Sequence, residues 1–309
     1  MKKSIKILSL TLSCVATLTM AGSALGQELT SGNSSLETKV DSDVTNVFTL
    51  APSFTHLFDS DFKGTDNGNV SVTRADMRVG YAMKSDQAEF GLGGLYEFSN
   101  YDFSKLGYEE FNRLAFSAYY KGMVNDNWGY FGYGAVEMAA NTGAALGNGV
   151  MGTLGGGARY VWSDKLSLGF GLAASSSLED NSRVLPVIIL NWQINDRWAL
   201  RTLNGVTVTY DLMGDKKTFL DAGVNYQRRE YRLEKHSSFG NYSTAPSMVE
   251  TLVNIEFGVT HNFNKDISLR GFVGLVGGRG YDIYENGHKR FTKSVDTGGM
   301  VGVRAIFRF

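Results

Sequence analysis

A chain of 309 residues with a formal charge of −1 has no cationic surplus, which argues against nucleic acid as a partner. Its only cysteine, Cys14, excludes an internal disulfide and a paired-thiol site. With 37 Gly, 19 Phe and 15 Tyr against 3 Pro, the composition suits strands that carry outward rings and crowd a barrel interior.

The amino end reads as a secretory signal peptide, residues 1–26. Lys2, Lys3 and Lys6 form its basic start, Ile7 to Met20 its apolar run, and Ala24-Leu25-Gly26 supplies small residues three and one before a cut at Gln27. The residues around Cys14 fit a lipidation site poorly. Losing three lysines takes the formal charge from −1 to −4, still mild. Residues 27–45 are polar and without periodicity, and read as a flexible periplasmic leader. After the signal, no stretch approaches the ~20 apolar residues of a spanning helix.

Residues 46–309 read as strands with two kinds of punctuation. Short turns fall at Lys84-Ser85-Asp86, Asn125-Asp126-Asn127, Ser163-Asp164-Lys165, Asn195-Asp196-Arg197, Gly214-Asp215-Lys216 and Asn264-Lys265-Asp266. Four of them lead into an apolar, spacer, apolar pattern: Trp128/Tyr130, Leu166/Leu168, Trp198/Leu200 and Ile267/Leu269. Longer polar segments alternate with them at 58–69, 99–109, 140–149, 176–183, 234–247 and 282–296. Short turns on one rim and long loops on the other are the outer-membrane arrangement. Splitting 198–213 at Leu203-Asn204-Gly205 gives an even count of 14 antiparallel strands; 12 is the alternative if that hairpin does not span. Pro52 predicts a bulge or break in the first strand.

Alternation then sorts the charges. With Met77, Val79 and Tyr81 outward, Arg74, Asp76 and Arg78 face inward. The same reasoning turns Glu89, Glu97, Arg113, Glu137, Arg159, Arg201, Asp211, Asp221, Arg229, Glu250, Glu256 and Arg270 inward. A cation facing lipid at mid-membrane costs about 2–4 kcal/mol, so a spanning barrel requires this sorting. Arg228, Glu230 and Arg232 have outward parity and are expected above the membrane; the strand at 184–190 is apolar on both faces and has no defined parity. Glu256, Arg270 and Arg304 are expected to form a ladder across successive strands. Inward polarity serves a water-filled pore and a salt-bridged closed barrel alike, so both readings stand.

All four tryptophans, Trp128, Trp162, Trp192 and Trp198, lie beside short turns and read as an interfacial girdle. The last strand alternates Val301, Val303, Ala305, Phe307 and Phe309 against Gly302, Arg304, Ile306 and Arg308, which places both arginines in the lumen.

Catalytic and metal chemistry finds little footing. His236, Ser237, Ser238 and Asn241 share one loop, but adjacent side chains on extended backbone point apart. Asp59-Ser60-Asp61-Phe62-Lys63-Gly64 faintly suggests a calcium loop, with Lys at position five and Val70 where a bidentate Glu belongs. Gly155-Gly156-Gly157 and Gly277-Gly278 precede no helix and read as strand bends. Three aromatic sets, Tyr101/Phe103, Phe239/Tyr242 and Tyr281/Tyr284/Phe291, are expected in exposed loops. No cofactor or metal is expected, and no enzyme.

The closing strand, ending Val303, Ala305, Phe307 and Phe309, resembles the terminal strand of Gram-negative outer-membrane β-barrels, which the assembly machinery reads. Leu185-Pro186, Trp192, Asn195-Asp196-Arg197-Trp198-Ala199-Leu200 and the Asp211 to Asp221 hairpin resemble an uncharacterised family of such barrels, a domain of unknown function. The resemblance implies an all-β, transmembrane, up-and-down antiparallel barrel in the outer membrane of a Gram-negative bacterium, with the lipid bilayer and the assembly machinery as partners. It brings no catalytic residues. The expected function is a pore or transporter for a small solute of unknown identity; the alternative is a non-conducting structural or surface-interaction barrel, with a hydrolase a distant third.

Overall fold

The computed structural model describes residues 45–64, 68–104, 107–179, 182–202, 205–237 and 239–309. The expected signal peptide and the leader up to residue 44 lie outside the described residues, as do Leu203, Asn204 and Ser238. The elements are β1 (Thr45–Asp61), β2 (Asn69–Lys84), β3 (Ala88–Phe103), β4 (Gly107–Met123), β5 (Trp128–Asn141), a single 3-10 turn at Leu146–Gly149, β6 (Val150–Ser163), β7 (Leu166–Ser175), β8 (Arg183–Gln193), β9 (Trp198–Thr202), β10 (Val206–Asp211) and β11 (Thr218–Arg232). There follow a two-stranded hairpin, β12 (His236–Ser237) and β13 (Gly240–Asn241), then β14 (Ser247–Asn262), β15 (Ile267–Glu285), β16 (His288–Ser294) and β17 (Gly298–Arg308).

Fourteen of these strands form a closed antiparallel transmembrane barrel in simple up-and-down order. β1 through β11 pair in sequence, β11 continues to β14, β14 to β15, β15 to β17, and β17 returns to β1. At the seam Phe48 and Phe309 exchange both backbone bonds, at 3.1 and 2.9 Å. Pro52 brings no register shift, and β1 pairs with β2 through it; the expected break is confined to the ladder to β17, which lapses at Ala51 and Pro52 between the pairs Leu50/Phe307 and Ser53/Arg304. The irregularity of β1 lies instead between Leu57 and Ser60.

The short turns close as their Asn residues require. Asn125, Asn195 and Asn264 each accept two backbone N–H bonds through Oδ1, from Asn127 and Trp128, from Arg197 and Trp198, and from Asp266 and Ile267, all at 2.8–3.0 Å. The weak internal repeat is therefore one turn device used three times.

The long-loop rim differs from expectation. β3 runs to Phe103 and β15 to Glu285, and β15 carries β16 as an outer hairpin. Tyr101, Phe103 and Tyr281 are not exposed loop aromatics but are buried in the main core. Their segments alternate rings inward with Asn100, Asp102 and Asp282 outward, and such alternation past a membrane still makes a strand. Asp59 to Asp61 likewise belong to β1, and Phe62 bridges Val295, so these residues extend the strand.

The barrel is pinched at this rim. Arg232 of β11 pairs directly with Ala140 of β5, parallel, across the ring. Glu234 N donates to Asn141 Oδ1 at 3.1 Å beside it. β2, β3 and β4 thus pack face to face on β11, β14 and β15, with Phe111 and Tyr231 ring centroids 4.5 Å apart and Tyr101 and Tyr281 6.2 Å apart. On the other side of the pinch stand β6 to β10. There β9 and β10 are short, and β8 above Leu190 and β11 above Val224 have no neighbour on that side among the described residues.

Candidate functional site: two unlike sides of one lumen

On the packed side, buried carboxylates and guanidinium groups answer one another. Glu250 of β14 is 1 % exposed. It receives Arg74 at 2.5 Å, Tyr101 Oη at 2.9 Å, Tyr281 Oη at 3.2 Å and Arg279 Nε at 3.3 Å. Glu97 of β3 takes Arg229 Nε at 3.3 Å and Tyr231 Oη at 3.4 Å. Arg113 reaches Glu137 at 2.7 Å. Nearer the short turns, Arg270 holds Asp221 and, at 3.2 Å, Glu256. Arg78 pairs with Asp76 at 3.0 Å and Lys121 with Glu89 at 2.9 Å. Charges this deep persist only with such partners.

The inward direction of Arg279 and Tyr281 has a geometric cause that plain alternation does not carry. Below Val276, β15 keeps Leu269, Val273 and Leu275 outward. Between Thr251 and Val253 of its partner the register shifts, and Gly278 sits at φ 59, a conformation open to glycine. This bulge inverts the alternation, so odd residues beyond it turn inward.

The expected ladder of Glu256, Arg270 and Arg304 is corrected: Arg270 spans Asp221 and Glu256, and Arg304 stands outside it. Among the described residues no carboxylate pairs with Arg159, Arg201 or Arg304. Arg159 and Arg201 belong to the second side, the wall of β5 to β10. Arg159 Nη2 donates to Ser167 Oγ at 3.2 Å, and its Nε has no partner. Arg308 donates to Lys265 O and Ser268 Oγ at 3.5 and 3.3 Å.

The same wall carries an apolar inward patch. Burial settles the parity of β8: Val184, Ile188 and Trp192 are exposed outward, so Leu185, Val187 and Ile189 face inward. Val187 and Ala173 form a cluster of their own, covered by Phe131, Tyr133 and Ile189. Tyr133 lies across Gly155, where an added Cβ would stand 2.5 Å from the ring. The outward parity of Arg228, Glu230 and Arg232 is also explained. Above the short hairpin the outer face of β11 is covered by the β7–β8 connection. Glu230 accepts Ser177 Oγ at 2.7 Å and Leu178 N at 3.0 Å, and Arg232 binds Glu179 and Asn148 O.

The remaining residues singled out from sequence sit as follows. Trp128, Trp162, Trp192 and Trp198 are exposed beside the short turns, with Trp128 against Tyr160 at 4.9 Å and Trp198 against Tyr210 at 4.6 Å. Val303 and Phe309 are exposed, and Ala305 and Phe307 half-buried, on the outward side of β17. His236 Nδ1 lies 3.0 Å from Asn241 Oδ1 within its small hairpin. Among the described residues no group of three or more His, Cys, Asp or Glu is arranged to hold a metal.

The profile of a family described as "Domain of unknown function (DUF6268)" matches residues 56–303. No curated protein matches. Among solved structures, the COG4313 outer membrane channel from Pseudomonas putida F1 is similar at TM-score 0.50 and 13 % identity, over 89 % of this chain and 100 % of that one. The P. putida toluene transporter TodX matches at TM-score 0.40 and 9 % identity, over 89 % and 92 %. The translocator domain of the autotransporter NalP from Neisseria meningitidis matches at 0.45 and 13 %, over 92 % and 94 %. At 13 % identity the likeness to the COG4313 channel is one of fold.

Proposed function

We propose that this chain, which belongs to the family described as "Domain of unknown function (DUF6268)", is an outer-membrane channel whose solute path follows the β5–β10 wall. One observation carries the reading. The inward guanidinium groups of Arg159 and Arg201 have no carboxylate partner among the described residues, and a cation so placed needs water around it. Apart from Arg304, the opposite wall is filled by paired charges and rings, which leaves this side for the water. Localisation in a Gram-negative outer membrane fits the barrel, its exposed apolar belt and the tryptophans beside the short turns. The known solute of a barrel of similar fold does not transfer; the lumen argues only for a small solute and for anions over cations.

The test is single-channel recording of the purified protein in a planar bilayer under a salt gradient. Stable steps with an anion-selective reversal potential are expected, and Arg159→Gln with Arg201→Gln should lower the anion preference by about twofold or more. A folded, heat-modifiable barrel that gives no steps would instead support the closed structural barrel, which the packed core at the long-loop rim favours. Biogenesis provides a separate readout. Deleting Phe309 removes the seam bonds to Phe48, and the yield of heat-modifiable barrel in cells should fall several-fold if the assembly machinery reads this strand. An unchanged yield would remove Phe309 from that role.

A further inference from the structure

The β5–β9 wall arranges two layers whose chemistries differ. Nearer the long-loop rim are Leu185, Val187 and Ile189 with Phe131. Except for buried Val187 these side chains are only half-buried, so part of their apolar surface is open to the lumen. In a water-filled lumen that surface has no solvent of its own kind, and covering it is worth about 25 cal/mol per Å2.

One step toward the short turns lie the cations. Arg159 is opposite Gly169, and Gly169 is opposite Ile189, so Arg159 and Ile189 share a level. The Arg159 side chain leans on Ser167; Ser167 is opposite Asn191, and Asn191 is opposite Arg201. Arg201 and the Ser167 that Arg159 contacts are thus both cross-strand partners of Asn191, just below the apolar layer. The acids of the neighbouring strands are already engaged. Asp221 is held by Arg270, and Asp211 accepts the turn amides of Gly214 and Lys216 at 2.9 and 3.0 Å.

The apolar layer also lies at a free edge. From Val184 to Ile189, β8 has no hydrogen-bonded strand on its β9 side among the described residues, and Pro186 sits within that stretch, as suits an edge. Val184, 66 % exposed, and Ile188 face outward at the same edge. The inner apolar patch thus continues onto the lipid-facing surface around one strand.

We propose that this wall binds a small amphipathic anion. Its apolar body covers Leu185, Ile189 and Phe131, and its anionic head sits between Arg159 and Arg201. The site deepens the channel reading and rests on it for the ligand's route. A purely apolar molecule leaves the two cations unused, and a small inorganic anion leaves the apolar layer bare; only a molecule with both parts satisfies the two layers.

Calorimetry on the full barrel in lipid nanodiscs tests this, with octanoate, butyrate and 1-octanol as probes and empty nanodiscs as the blank. Octanoate should bind about tenfold or more tightly than either of the others, a difference near 1.4 kcal/mol. The Arg159→Gln, Arg201→Gln double variant should reduce octanoate to the level of 1-octanol. Ile189→Asn should weaken octanoate and 1-octanol together. Octanoate heats equal to those of empty nanodiscs, or an affinity unchanged in the double variant, would overturn the site. A second measurement avoids variants that fold poorly: a nitroxide on Leu185→Cys, in a chain whose only other cysteine is Cys14, should lose mobility when octanoate is added. No change there would also overturn it. Binding needs no current, so a silent barrel that takes octanoate would refute the channel alone, and a conducting barrel that ignores octanoate would refute this site alone.

Discussion

Glu250 is the residue on which the packed side converges. Two arginines and two tyrosines hydrogen-bond to one carboxylate from β2, β3 and β15, and Arg229 of β11 stands 3.9 Å away. Removing one member of a buried ionic group leaves the others uncompensated, at about 3–5 kcal/mol. Glu250→Ala should therefore lower the urea midpoint, followed by the loss of the heat-modifiable band, more than Lys165→Ala does. Lys165 has only an exposed contact to Asp196 at 3.7 Å, a kind worth little. Much at this scale was legible in the sequence. Arg74, Glu97, Arg113, Arg229 and Glu250 all declared their inward direction through alternation with apolar neighbours. Their partners did not, because Arg74 and Glu250 are 176 residues apart and meet only through the pinch. Arg279 was hidden by the bulge at Gly278, which period-two reasoning crosses without notice.

At the scale of elements, the turns were the clearest signal and the upper strand ends the weakest. Asn195 supplies two bonds to its own turn, and Asn195→Ala should cost about 1 kcal/mol, measurable in the same unfolding assay. The segments at 99–109 and 282–296 read as loops because their outward residues are polar, yet they continue as strands above the membrane. The β15–β16 hairpin there is tied down by Glu285. Its carboxylate accepts Ser243 Oγ and Ser243 N at 2.7 Å and Arg290 Nη2 at 2.6 Å. The Ser243 hydroxyl, then the Thr244 amide, hold its pKa down to about 2. A carboxyl depressed in the fold stabilises above its ordinary range near 4.5 and loses that contribution as pH falls toward about 2. A nitroxide on Asn286→Cys should thus gain mobility between about pH 4.5 and 2 and stay immobile at pH 7. In Glu285→Gln the mobility should not depend on pH in that window. Equal pH dependence in both would assign the transition to another group.

At the scale of the whole molecule, strand number and sense followed from the alternation of turns and loops, including the split at 203–205 that made the count even. The sequence does not announce that β9 and β10 remain short in the ladder, or that β11 meets β5. Both depend on how the wall curves, which no local pattern encodes. A sheet closed into a cylinder has a fixed perimeter but a soft shape: it can ovalise back and forth at almost no cost in hydrogen bonds. The bridge from Arg232 to Ala140, with Arg232 anchored on Glu179 and Asn148, works as a rivet across the short axis of that oval. It opposes that squashing at the long-loop rim, so the packed side of the lumen is held closed by a cross-ring backbone bridge as well as by its buried charges.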